Sequence, residues 1–142
     1  MPQGALNSAV ARQFNYAASC VAINQGHGEF AVRKLPPMVQ LSSVNAIHCM
    51  DLNNDGHMDI VCGGNQFDFI PQLERLDASS GDVLLNDGKG NFTWVETSET
   101  GLGLRGELRD IAELNINHKK YLLFLQNDEY PVLYELKNLL KK

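Results

Sequence analysis

Two stretches of this chain, 62 positions apart, follow one plan, and that repetition limits the fold more than any other feature. CVAINQGHGEFAVRKL (Cys20 to Leu35) and DVLLNDGKGNFTWVET (Asp82 to Thr97) each hold an apolar run, an asparagine, a Gly-x-Gly turn, an aromatic residue and a second apolar run. Asn24 falls on Asn86 and Phe30 on Phe92 at that same offset. Glycine adopts the positive φ angles of tight turns without steric cost, so each stretch predicts two strands joined as a β-hairpin.

A second block follows each hairpin. VNAIHCMDLNNDGHMDIVCGGN (Val44 to Asn65) and LRDIAELNINHKKYLLFLQND (Leu108 to Asp128) share an apolar–turn–apolar outline, the later copy with a shorter turn. A unit of about 60 residues thus holds four short strands, and four strands at such a period point to the blades of a β-propeller. The expected class is all-β, a partial propeller of four-stranded antiparallel blades, about two and a quarter of them. Residues 17–37 are assigned to half a blade. Residues 38–98 form a complete blade with an insertion at 66–81, and 99–142 a final incomplete blade whose third strand is YPVLYELKNLL. Residues 1–16 fit no blade pattern and read as irregular or a short helix. The remaining blades are expected in a longer parent chain.

Charge and apolar runs narrow the partners. Lys and Arg number 12 against 17 Asp and Glu, a net charge of −5, and they are scattered apart from Lys137, Lys141 and Lys142. No basic face for nucleic acid is expected. Apolar runs such as Tyr121 to Leu125 are far too short to span a bilayer. MPQGALNSAVARQ shows no basic patch followed by an apolar run, so no signal peptide is expected in this stretch. Cys20, Cys49 and Cys62 are odd in number and lack CxxC spacing, which argues against a zinc or thioredoxin-like site. Cys49 and Cys62 flank one turn, and in an oxidising compartment they could close a disulfide; the residues alone leave that open. GLGLRG (Gly101 to Gly106) matches a dinucleotide fingerprint in letters only, because a strand rather than a helix is expected after it.

The turn DLNNDGHMD carries the chemistry. Asp51, Asn53, Asp55 and Asp59 occupy positions 1, 3, 5 and 9 of a DxNxDGxxD loop, with Gly56 at position 6. Alternate residues of a tight loop turn their oxygens inward, and His57 can add its main-chain carbonyl. Hard oxygen ligands in that number suit Ca²⁺ better than Mg²⁺. Without a cation the crowded carboxylates repel one another or hold a proton. An EF-hand opens the same way but needs a bidentate Glu at position 12, where this chain has Cys62. The flanking AIHCM and DIVCGG are also β-prone rather than amphipathic helices.

With MDLNNDGHMDIVCGG, VLLNDGKGNF and TGLGLRGELRDI read together, the chain resembles the C-terminal segment of a bacterial FG-GAP/VCBS (integrin-α-like) repeat protein. The similarity runs from about residue 20 to residue 136. It implies an extracellular or cell-surface, non-enzymatic propeller used in adhesion, with a protein or glycan ligand and calcium holding the hairpins. It places the metal on Asp51, Asn53, Asp55, the His57 main chain and Asp59. LNINHKKYLL has Asn115 and Asn117 but no carboxylate, so no metal is expected there.

The insertion QFDFIPQLERLDASSG carries Phe67, Phe69 and Ile70 in what should be a surface connection. They are candidates for partner binding, or they fold back over a blade edge. The alternative function is part of a propeller-fold carbohydrate-active enzyme with its active site mostly on other blades. Paired catalytic glutamates, a nucleophile elbow and a Gly-Lys phosphate loop are all missing from the sequence.

Overall fold

A computed structural model describes residues 12–68 and 75–136. They form nine strands in three antiparallel sheets, with almost no helix. The first sheet pairs β1 (Cys20–Gly26) with β2 (Glu29–Lys34). The second runs β3 (Ala46–Met50), β4 (Asp59–Gly63), β5 (Asp82–Asn86) and β6 (Phe92–Val95) in chain order. The third runs β7 (Glu107–Ile116), β8 (Lys119–Asn127) and β9 (Val132–Glu135). The described strands close no barrel. The all-β class and its antiparallel sheets are therefore present.

Turn chemistry sets the hairpins. His27 and Gly28 form the two-residue turn of β1–β2, both at positive φ (53° and 81°), the pattern that matches strand twist. Asn117 and His118 do the same between β7 and β8, at 51° and 62°. Asparagine tolerates that conformation better than most residues, which explains a tight turn without glycine.

The four-stranded sheet is buried on both faces, and strand alternation sorts its side chains. Val61, Val83, Leu85 and Val95 point one way, into a core shared with Leu108, Ile111, Leu122 and Phe124 of the third sheet. Ile60, Cys62, Leu84, Phe92 and Trp94 point the other way and pack on Leu35, Val39 and Val44. Val39 lies in a short 3-10 turn, Pro37–Gln40, that follows the first hairpin. Phe124, with no exposed surface, meets the Tyr134 ring edge-on at 5.6 Å.

The connection from β6 to β7 contains a four-residue helix, Thr97–Thr100, and then GLGLRG. Its Leu102 and Leu104 are buried in the core while Gly103 and Arg105 face out, and β7 follows directly. The segment is thus an extended packing strap rather than a phosphate loop. Residues 12–16 hold no regular structure, and the rest of the 1–16 assignment lies outside the described residues. Gln66 and Leu76 exchange both backbone hydrogen bonds, at 2.8 and 2.9 Å, and so close the base of the 66–81 insertion.

Candidate metal centre

Met50 pairs with Asp59, and the acidic turn spans the residues between them. Strands, not helices, bracket it. Gly56 sits at φ 85° with nothing within 4 Å of where a Cβ would stand, so its requirement is conformational rather than spatial.

Asp51, Asn53 and Asp55 are brought together around the turn's own N–H groups. The Asp55 N–H donates to Asp51 Oδ1 and Asn53 Oδ1, each at 3.1 Å, and Gly56 N–H donates to Asp51 Oδ2 at 3.0 Å. His57 N–H donates to Asp55 Oδ1 at 2.8 Å, and the Asn53 amide donates to Asp55 Oδ2 at 2.8 Å. The Asn53 amide first, and then the His57 N–H, hold the Asp55 carboxyl below its usual range.

Asp59 does a different job. It has no exposed surface, and its two oxygens accept the N–H groups of Leu52 and Asn86, both at 2.9 Å. It thus joins the turn to the end of β5. The Asn86 amide adds a bond to the Met58 carbonyl at 3.1 Å.

The β5–β6 turn is built alongside. The Asp87 carboxyl accepts the Asn91 amide and the N–H groups of Lys89 and Asn91; in that order of effect they pull it down to about 2. At Gly88, where φ is 75°, the His57 imidazole lies 2.5 Å from the position of a Cβ, so the two turns touch there. From the other side Arg33 donates to the Lys89 carbonyl at 2.7 Å and to Asn91 Oδ1 at 2.6 Å. The two turns and the strands of the first hairpin therefore meet at one end of the second sheet.

The donor chemistry of the acidic turn fits calcium: three carboxylates and an amide oxygen, all hard, within nine residues. Among the described residues no three His, Cys, Asp or Glu side chains are gathered as a metal-holding group. The carboxylates engage N–H donors instead, and each engaged oxygen keeps a second lone pair.

The opposite end of the sheets holds a buried polar centre that sequence reasoning missed. Asn65 has no exposed surface; its Oδ1 accepts from Ser42 Oγ (2.9 Å) and Ser79 N–H (3.0 Å). Its amide donates to the Ser79 and Gly106 carbonyls at 2.8 and 3.2 Å. Asp82 accepts from Ser79 Oγ and the Trp94 indole at 3.0 and 2.9 Å. Glu107 accepts from Phe67 N–H (2.7 Å), Asn127 (2.9 Å) and Arg109 (3.1 Å). The Phe67 N–H, followed by the Asn127 amide, leads in holding its carboxyl pKa below the usual carboxylate range. Paired in this way, these groups clamp the connections of the second and third sheets.

Phe67 is half-buried, with the Arg75 guanidinium 4.0 Å above its ring. Phe69 and Ile70 lie outside the described residues. Cys20, Cys49 and Cys62 are free thiols, Cys49 exposed and Cys62 buried. A cavity of about 10 Å³ between the second and third sheets, lined by Leu52, Val83, Leu122 and Tyr134 among others, is too small for an organic ligand. No described helix is long and apolar enough to cross a membrane.

A scan against models of known protein families finds no match, and neither curated proteins nor solved structures give one. What fold and site define is a class: an all-β chain of stacked antiparallel sheets with an acidic hairpin turn.

Proposed function

We propose that this chain is a calcium-stabilised segment of a β-propeller of the FG-GAP/VCBS kind, acting without catalysis as a binding or adhesion module of an exported or cell-surface protein. Each sheet is then a blade, the first and third incomplete, and the ligand is a protein or a glycan. The observation that carries the proposal is the acidic turn closing the β3–β4 hairpin, where Asp51, Asn53 and Asp55 share one bend between two strands. Asp51, Asn53, Asp55, Asp59 and the His57 carbonyl would supply the calcium oxygens. The ion would neutralise the turn's negative charge and fix its register against the β5–β6 turn.

Thermal unfolding in EDTA and in excess calcium tests the metal. Calcium raises the melting temperature, and magnesium at the same concentration raises it less. Identical curves in EDTA and calcium would remove the metal from this reading. The binding role is tested separately, by glycan-array and cell-surface adhesion assays on the calcium-loaded chain.

A further inference from the structure

The tripeptide Asn-Asp-Gly occurs twice, at residues 54–56 in the acidic turn and at residues 86–88 in the β5–β6 turn. An aspartate that precedes glycine can react with its own backbone. The glycine nitrogen, unhindered by a Cβ, attacks the side-chain carbonyl carbon, and water leaves. The five-membered imide so formed takes up water at either carbonyl and opens to aspartate or to isoaspartate, in which the main chain runs through the former side chain. One water is lost and one regained, and no other reagent is needed.

The two copies are the same through the reacting atoms, but their settings differ. In both, the carboxyl folds back over its own chain, Oδ1 accepting the N–H two residues on: His57 for Asp55 and Lys89 for Asp87, each at 2.8 Å. In the acidic turn the Gly56 N–H points at a carboxylate, Asp51 Oδ2, at 3.0 Å, a base able to take its proton. In the β5–β6 turn the Gly88 N–H meets the neutral amide oxygen of Asn86 at 3.1 Å, which is no base. Gly56 is exposed with nothing within 4 Å of a Cβ position, whereas the His57 ring crowds Gly88. Arg33 also pins the β5–β6 turn through Lys89 and Asn91, and the Asn91 amide holds Asp87 Oδ2 at 2.6 Å.

We infer that Asp55 is a site of self-modification, converted to isoaspartate with Asp51 as the proton acceptor, while Asp87 is spared. The bond that forms joins the Gly56 nitrogen to the Asp55 side-chain carbon. Asp51 takes the proton from that nitrogen and returns it to the hydroxyl leaving the neutral Asp55 carboxyl, which departs as water. Isoaspartate adds one carbon to the main chain of the turn and removes one from the side chain. The Asp55 and Gly56 N–H groups are then drawn away from Asp51 and Asn53, which they now bind. The chemistry does not depend on the metal. If the calcium reading of the proposed function holds, its ligands no longer converge in the modified turn.

Prolonged incubation of the full chain in EDTA at mildly acidic pH tests it. Proteolytic peptides are then mapped by electron-transfer fragmentation, which separates isoaspartate from aspartate at equal mass. The expected result is isoaspartate at residue 55 in about tenfold or greater excess over residue 87, a modest share of what a positioned base contributes. In the urea-unfolded chain the excess disappears, because the two tripeptides are identical. Asp51→Asn keeps an oxygen for the Gly56 N–H but is no base, and it slows the reaction at residue 55 to about the rate at residue 87. A purely structural Asp51, once replaced, would loosen the turn and speed the reaction. Far-UV circular dichroism verifies that the variant folds, and the ratio of the two sites in the parent chain needs no variant. Absence of isoaspartate at residue 55, or as much of it at residue 87 in the folded parent, overturns the proposal. So does Asp51→Asn that leaves the rate at residue 55 unchanged or raises it. A failed metal reading shows itself in the melting assay instead, since no calcium enters this one.

Discussion

Asp59 Oδ1 accepts the backbone N–H of Asn86 at 2.9 Å across 27 residues of sequence, and this bond ties the acidic turn to the end of β5. The other carboxylate oxygen is held by Leu52 N–H. Asp59→Ala leaves both N–H groups at a buried position without their partner. The expected loss is about 3 kcal/mol of unfolding free energy, because an unmatched buried donor costs more than a hydrogen bond contributes. Urea denaturation checks it: a midpoint within error of the parent chain would show that solvent replaces the carboxylate at no cost.

Gly64 is a matter of space. A Cβ there would stand 1.9 Å from the Ser43 carbonyl oxygen, a backbone atom that cannot swing aside. Gly64→Ala should cost roughly 3 kcal/mol or more and disturb the neighbouring Asn65 network. The corresponding control is Gly103→Ala, where nothing lies within 4 Å. Equal denaturation midpoints for the two variants would contradict the packing seen around Ser43.

How much of this was legible in the sequence follows from the distance between partners. The hairpins could be read because each is set by residues next to one another: Gly26 to Gly28, Asn86 to Gly90, Asp51 to Asp59. The acidic turn was visible for the same reason. Asn65 was invisible, since it meets Ser79, Ser42 and Gly106, 14 to 41 residues away, with no motif among them. Glu107 likewise looks like an ordinary polar residue at a strand start until Phe67 and Asn127 arrive from other segments. The different role of Asp59 within a single motif was also hidden, because its partner Asn86 belongs to the next hairpin.

Asp87 makes the chain sensitive to acid. Its folded value of about 2 lies below the ordinary 3.8, so the native state favours the ionised carboxylate more than the unfolded chain does. That contribution is complete above roughly pH 4 and disappears as the pH falls through 2. Asp87→Asn keeps an oxygen for the Lys89 and Asn91 N–H groups but removes the titration. Stability measured between pH 5 and pH 2 should therefore fall less steeply in the variant. Parallel profiles would mean that other carboxylates, Asp55 and Glu107 foremost, carry the whole effect.

The three thiols separate by reactivity. Burial first, then the negative charge of Asp82 and the neighbouring Cys49, push the Cys62 thiol up to about 12. Cys20 and Cys49 are exposed. An aromatic disulfide reagent at pH 8 should label two groups per native chain at once, and the third only in denaturant. Immediate labelling of all three would place Cys62 at the surface, contrary to its position beneath Val39 and Leu84.

The calcium reading makes its sharpest demand at Asp55. Its two oxygens accept the His57 N–H and the Asn53 amide, bonds that an asparagine side chain can partly reproduce. Asp55→Asn also loses the ionised carboxylate that the Asn53 amide and the His57 N–H favour in the folded chain. In EDTA the variant should therefore melt somewhat below the parent chain. In calcium the gap widens, because a neutral amide is a poorer ligand for a divalent ion than a carboxylate. Free calcium at a hundredfold excess over its dissociation constant adds about 2.7 kcal/mol to the parent chain, and most of that increment should be missing from the variant. Calorimetric melting of both proteins in both buffers gives the four values required. If calcium lifts the variant as much as the parent, the ion binds elsewhere and the acidic turn is held by its own N–H groups alone.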